Sequence, residues 1–262
     1  MPQIHPSAVV EDGAVLADSV EVGPFCHVGG GVSLAAGVKL HSHVAVVGNT
    51  AIGERTEIYP FASIGHCPQD LKFRGEESRL EIGSDNRIRE YVTMNPGTEG
   101  GGMVTRIGNG GLYMASAHVA HDCQVGDHVI MANNATLAGH VHVGDHAILG
   151  GLSAVHQFVR IGAHAMIGGM SGIANDVIPY GMVIGAHASL SGLNLIGLRR
   201  RGFERQEIDA LRKAYDQLFS DEGTMAERLQ AVEQSFGQVP TVRSLIDFVG
   251  SDTSRGVLTP KG

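Results

Sequence analysis

Ile107-Gly-Asn-Gly-Gly-Leu-Tyr113-Met-Ala-Ser-Ala-His-Val119-Ala-His-Asp-Cys-Gln-Val125 repeats with a period of six. Counting on in sixes reaches Met131, Leu137, Val143, Leu149, Val155, Ile161, Ile167 and Ile173. Four places after successive stops stand small residues: Ala117, Cys123, Val129, Ala135, Val141, Ala147, Ser153, Val159, Ala165 and Ser171. The same count starts at Ile4 and passes Val10, Leu16, Val22, Val28, Leu34, Leu40, Val46, Ile52 and Ile58 to Ile64. Helices repeat at 3.6 residues and strands at 2, so a fixed short period must be read first. It predicts a hexapeptide-repeat parallel β-helix. Three hexads make one triangular coil of about eighteen residues, with the large aliphatic inside and the small residue at the turn. Coils stack at about 4.7–4.9 Å, and the core grows one coil at a time.

Two stretches break the count. Residues 66–79 place Asp70 and Glu76 where interior aliphatics belong, and residues 95–106 contain Asn95-Pro-Gly and Gly100-Gly-Gly. Between them Ile82, Ile88 and Met94 make one more coil. Insertions in a solenoid leave it as external loops and often carry the binding face. The mixed Gln69, Asp70, Lys72 and Arg74 fit that role, whereas the Gly-rich 99–103 reads as a tolerated surface insertion. After Ile178-Pro179 the period turns helical. Ile208, Leu211, Tyr215 and Leu218 share one face, as do Met225, Leu229, Val232 and Phe236. Thr224 with Glu227 is a capping box, and Pro240 opens a further helix. The expected division is a β-helix over 1–190 and a helical domain over 191–262 that covers the last coil's open edge.

A net charge of −8 disfavours nucleic acid as a partner. No run of about eighteen apolar residues is present, so no membrane span is expected, and the start Met-Pro-Gln-Ile-His-Pro has no signal-peptide character. Three cysteines, two of them (Cys26 and Cys123) in the small column, point to packing in a reducing, cytoplasmic setting. Arg199-Arg200-Arg201, with Arg205, Arg212 and Lys213 nearby, is the basic exception. It suits either helix-end solvation or recognition of phosphate or an acidic protein.

The chain has fourteen histidines. His5, His27, His41 and His43 read as surface residues of the early coils. His118, His121, His140 and His156 are different, because one coil step carries His121 to Gly139 and then to Gln157, and Asp122 to His140. Imidazole, carboxylate and bare glycine therefore share one prism edge. His121 beside Asp122 suits a general base with an orienting carboxylate. Gly139 can offer its N–H to a developing oxyanion. With no serine or cysteine nucleophile in the cluster, direct attack by a substrate hydroxyl is favoured over a covalent intermediate. That outfit fits acyl transfer. The competing reading is a zinc enzyme of the carbonic-anhydrase type, for which no third ligand stands at the spacing those proteins use.

His118-Val-Ala-His121-Asp-Cys, Asn133-Asn-Ala-Thr-Leu-Ala-Gly-His140, Ala154-Val-His-Gln-Phe, Gln69-Asp-Leu-Lys72 and Arg200-Arg-Gly-Phe203 together resemble the UDP-N-acetylglucosamine acyltransferase family, over essentially the whole chain. The resemblance implies a left-handed prism, although parallel crossovers are usually right-handed. It also implies a homotrimer with active sites in clefts between subunits, and no cofactor or metal. The implied reaction moves an R-3-hydroxyacyl group from acyl carrier protein to the 3-hydroxyl of UDP-N-acetylglucosamine, the first step of lipid A biosynthesis. His121 would be the base, Asp122 its orienting partner and Gly139 the oxyanion donor. Gln69, Asp70, Lys72, His118, His140, His156 and Gln157 would line the sugar and acyl pocket. Asn194, Arg200 and Arg201 would serve the nucleotide, and the basic helical domain would receive the carrier protein.

The chain departs from the family pattern in places. Asn95-Pro96 stands where familiar members have His-Arg, and Ile196 replaces a Glu used near the uracil. Gly169 stands where some relatives have a bulky residue that limits the acyl tail, so a longer acyl group is expected here. Rival readings are the N-acyltransferase of the same pathway, expected to carry a further domain before the prism, and acetyl-CoA-dependent sugar acetyltransferases, which usually lack the helical tail.

Overall fold

The computed structural model describes residues 1–251 and 253–261. The chain winds as a three-faced, left-handed parallel β-helix that ends in four helices. The first face begins with Gln3–Ile4 and collects eleven strands, the second with Val9–Val10 and nine, the third with Val15–Leu16 and eight. Most strands are two residues long, one pointing in and one out, as in Ile148–Leu149 with its buried Leu149. Like residues stack on like: Ile58 pairs with Ile88, Val119 with Leu137, and Leu137 with Val155. Both columns found by counting are interior, from Val20 and Val22 to Ile173 and Val177.

The corners explain much of the remaining composition. At most corners one residue takes the left-handed conformation, including Asp122 at φ 60, His140 at 62 and Phe158 at 65. That region is uncommon for residues with a Cβ, with Asn, Asp and His enriched in it. Side chains in it stack from coil to coil along the edges. Phe25, His43, Phe61 and Tyr91 form one such ladder with ring centroids 5.0, 5.0 and 5.2 Å apart. His128, His146, His164 and Tyr180 form another. Among the early histidines, His27 and His41 hydrogen-bond Glu11 and Glu57, and His43 belongs to the first ladder.

The insertions appear as jumps in register. Ile52 pairs with Ile82, a step of thirty residues, and Ile82 with Ile107, a step of twenty-five, where a regular coil takes eighteen. Both excursions leave between the second and third faces and return to the third. They are slightly shorter than the sequence suggests, because the return strands Arg79–Ile82 and Val104–Ile107 begin inside the expected loops. Tyr113 is the one aromatic in the interior column; burial holds its hydroxyl protonated, and that hydroxyl has no partner among the described residues.

At the C-terminal end Gly181–Ile184 joins the first face in parallel, and Ser189–Leu193 folds back on it antiparallel. The division expected at residue 190 falls inside this last strand. The helices follow: α1 (Leu195–Arg200), α2 (Arg205–Leu218), α3 (Met225–Phe236) and α4 (Pro240–Gly250). Thr224 and Glu227 form the capping box reciprocally, and Pro240 occupies the first turn of α4, where its missing N–H costs nothing. Arg160 of the last coil donates to the buried Asp176, which also bonds the backbone of Gly256 and Leu258 and so ties the tail to the prism.

Candidate active site

The edge between the second and third faces holds the candidate catalytic residues. His118–Val119 ends a strand of the second face, and the turn that follows presents His121 and Asp122. His121 Nδ1 lies 2.8 Å from Asp122 Oδ2. The Asp122 carboxylate is buried; burial works against its charge, but hydrogen bonds from His121 and Thr98 keep its pKa below the usual carboxylate range. An ionised carboxylate only accepts hydrogen bonds, so Nδ1 carries the proton and Nε2 keeps a free lone pair.

One coil on, Gly139 lies against that ring. A Cβ built on Gly139 would come 2.6 Å from His121 Nε2 and 2.5 Å from Cε1, so only glycine lets the imidazole occupy this place. The Gly139 N–H has no backbone acceptor among the described residues. A free lone pair and a free peptide donor are thereby neighbours. His140 approaches the same carboxylate, Nδ1 to Oδ2 3.8 Å, and stacks on Phe158 at 4.4 Å. Burial holds the pKa of His140 below the usual imidazole range, and burial together with neighbouring His121 does the same to His118. His118 Nδ1 hydrogen-bonds Thr93 Oγ1 at 2.6 Å.

Two clefts flank the edge. Gln69, Asn95, His118, His121, Gly139 and Gln157 line one of about 330 Å³. Asp70, Lys72, Glu76, Thr98, His140 and Phe158 line the other, of about 430 Å³. His156, in register with Ala138, lies exposed at the rim and lines neither. Asn95, which the sequence singled out as a departure, donates from Nδ2 to the carbonyls of His66 and Cys67 and so joins the two excursions.

Other nominated residues stand elsewhere. Asn194, Arg200 and Arg201 line a cavity of about 590 Å³ on the first face, with Ile148, Met166, Met182 and Ile196. Asn194 caps α1 by accepting the Gly197 N–H and donating to the His164 carbonyl. Arg201 donates to the His146 carbonyl, and Arg200 is exposed. Gly169 lies on the edge between the first and second faces. The structure thus divides the nominated residues between separate sides of one prism. A further cavity of about 1010 Å³, between the third face and α4, contains none of them.

The ligand atoms of His121, Asp122 and His140 lie within 4.8 Å of one another, the set a metal would use. The 2.8 Å between His121 and Asp122 is the separation of a shared proton. A tetrahedral ion about 2 Å from each donor would have to part them.

Counting in eighteens missed Thr98, Thr105 and Gly101. Thr98 donates its N–H to Asp122 Oδ1 and its hydroxyl to Oδ2, at 2.9 and 2.6 Å, and Thr105 Oγ1 accepts the Asp122 N–H at 2.8 Å. A Cβ on Gly101 would overlap the Asp122 carboxylate. The Gly-rich stretch expected to be a tolerated insertion is therefore packed on the charged centre of the site. The glycine run offered the only hint of that close approach.

Comparison with known proteins agrees over nearly the whole length. Residues 176–258 match a family described as Udp N-acetylglucosamine O-acyltransferase, domain 2. The chain is 55% identical to the acyl-[acyl-carrier-protein]--UDP-N-acetylglucosamine O-acyltransferase of Azorhizobium caulinodans over 98% of this chain and 95% of that one. It is 54% identical to the protein of the same name from Caulobacter vibrioides, over 98% of both chains. Among solved structures, the UDP-N-acetylglucosamine acyltransferase of Francisella novicida superposes with a TM-score of 0.96 at 36% identity, over 99% of this chain and 95% of that one.

Proposed function

The chain belongs to the UDP-N-acetylglucosamine O-acyltransferases, and on that premise we propose that His121 is the general base of a direct acyl transfer with no covalent enzyme intermediate. The enzyme transfers an acyl group from acyl carrier protein to UDP-N-acetylglucosamine in lipid A biosynthesis. The acceptor is the sugar 3-hydroxyl and the donor an R-3-hydroxyacyl thioester. His121 Nε2 takes the hydroxyl proton as the oxygen attacks the thioester carbonyl. The tetrahedral oxyanion is held by the Gly139 N–H, and its collapse breaks the carbon–sulfur bond. The carrier thiolate takes the proton back from the imidazolium, leaving a sugar ester and a free thiol. Asp122 keeps the tautomer and balances the positive ring. The observation that carries this reading is the His121 ring lying on Gly139 with its Nδ1 held by Asp122.

Asp70, Lys72, His118, His140 and Gln157 surround the acceptor sugar and the thioester. The nucleotide end lies with Asn194, Arg200 and Arg201 of another copy. Support for this assignment is the separation of the two groups on one prism, together with the outward column of the first face. That column is charged at Glu21, Lys39, Glu57 and Arg87, then apolar at Leu112, Ile130, Ile148, Met166 and Met182. Apolar outward residues on one sheet face need a partner, and a closed cyclic homotrimer supplies one per copy. No helix among the described residues is long and apolar enough to cross a membrane; the reaction takes place in the cytoplasm, where the carrier protein and nucleotide sugar are present.

The test is turnover of purified protein with UDP-N-acetylglucosamine and a panel of hydroxyacyl carrier proteins, with a chelator control. His121→Ala should lose roughly 10²–10⁴ of the rate while keeping the wild-type elution volume. Wild-type turnover by that variant would overturn the role of His121.

A further inference from the structure

We propose that Thr98 is a positioning residue for the acyl transfer, holding both oxygens of Asp122 and so setting how strongly that carboxylate draws on His121. The inference rests on the general-base reading above and adds a residue from the second excursion to it.

Thr98 and Asp122 are buried, 4% and 3% exposed. The carboxylate accepts three hydrogen bonds: Thr98 N–H at Oδ1, and the Thr98 hydroxyl and His121 Nδ1 at Oδ2. Two donors thus compete for the oxygen that orients the base. A hydrogen bond to a charged acceptor is stronger than one to a neutral acceptor, so removing the hydroxyl changes what Oδ2 offers to the imidazole.

The contact is built into the backbone. Gly101 and Met103 both donate N–H to the Thr98 carbonyl, Gly97 donates to the Arg79 carbonyl, and Glu99 N–H reaches Glu76 Oε1 at 3.2 Å. Gly101 has no side chain where one would overlap the carboxylate. The excursion is thereby fastened to the loop bearing Asp70 and Lys72, and Thr98 has one place to stand. Other ionisable groups around the pair are His140, 3.8 Å from Oδ2, and His118, Asp70 and the buried Cys123. None of these changes in the variants below.

Removing the Thr98 hydroxyl leaves more of the Asp122 charge for His121, so the imidazolium gains and the base is protonated at higher pH. It also frees the carboxylate to turn, which loosens the ring. Thr98→Val should lower kcat roughly ten- to hundredfold, the span of a hydrogen bond to a charged group. The acid limb of kcat/KM should move up by roughly one pH unit, with the KM for UDP-N-acetylglucosamine near the wild-type value. Thr98→Ser keeps both donors and should restore the wild-type profile. Thr105→Val, which removes the acceptor of the Asp122 N–H, should lower the melting temperature and leave the acid limb in place. If Thr98→Val does not fold, Thr98→Ala carries the same expected shift.

A Thr98→Val enzyme with wild-type kcat and acid limb would overturn the inference alone. So would an equal shift in Thr105→Val, because the effect would then be general loosening. A wild-type protein that turns over none of the substrates would instead overturn the acyl-transfer reading and take the inference with it.

Discussion

The His121 imidazole rests on the bare Cα of Gly139, where a methyl group would stand 2.6 Å from Nε2. The ring can occupy that position because the residue one coil away has no side chain.

Gly139→Ala should therefore fold and fail. The three atoms nearest that methyl group all belong to the His121 ring, so the ring swings off its place beside the peptide N–H. Misplaced catalytic geometry of this size costs about 10²-fold. Steady-state kcat should fall by roughly that factor, with a melting temperature close to wild type. Unchanged kcat would show that the ring and the Gly139 amide do not act together.

Arg200 and Asn194 should separate in behaviour although they share a cavity. Arg200 is exposed, and its replacement by Ala should raise the KM for the nucleotide sugar with little change in kcat, the signature of lost ground-state binding. Asn194 caps α1 and donates to the His164 carbonyl. Asn194→Ala should additionally cost about 0.5–2 kcal/mol of stability, as other N-cap deletions do. Chemical denaturation beside initial rates distinguishes the two.

Stability should depend on His164 in acid. Burial, with help from Arg201 and His146 and against the field of Asp145, pushes its pKa from the usual 6.5 down to about 4. The folded state resists protonation there while the unfolded chain accepts it, so the unfolded state binds more protons between these values. Stability then falls as pH drops from 6.5 towards 4 and is level above that window. The melting temperature should decline between pH 7 and pH 5, and His164→Asn, which tolerates the φ of 60, should flatten the decline. An unchanged slope in the variant would place the effect elsewhere.

Gly169 should govern donor length. A Cβ there meets only the Gly151 backbone, its carbonyl oxygen at 3.2 Å and its nitrogen at 3.8 Å. Gly169→Met should fold and shift the preference among hydroxyacyl carrier proteins towards shorter chains, whereas the wild type should favour longer ones. Rates across a chain-length series decide the matter.

Periodicity made the prism legible because every coil repeats the same burial problem at the same spacing. It also brought His121 beneath Gly139, because those residues lie one coil apart. It did not reach Thr98, twenty-four residues from Asp122 on an excursion whose length obeys no repeat. Nor could it separate Asn194 and Arg200 from His121, because the count stops near Ile178-Pro179 and the folded-back strand Ser189–Leu193 that leads to Asn194 obeys no period of six. Asn194 read as a nucleotide contact, and no spacing signals that its side chain also caps the N-terminus of α1. Interior Tyr113 fits the column by size alone, and no count of apolar positions signals its unpartnered hydroxyl.

The two ends of the stack differ in kind. A folded-back strand and four helices seal one end, while at the other Gln3–Ile4, Val9–Val10 and Val15–Leu16 each have a single ladder partner among the described residues. In an array whose units touch only their neighbours, opening begins where a neighbour is missing. Amide exchange should therefore run as a gradient, quickest in the first coil and slowing towards the sealed end. The edge bearing His121 and Gly139, several coils inward, sits behind that fraying front as behind a buffer.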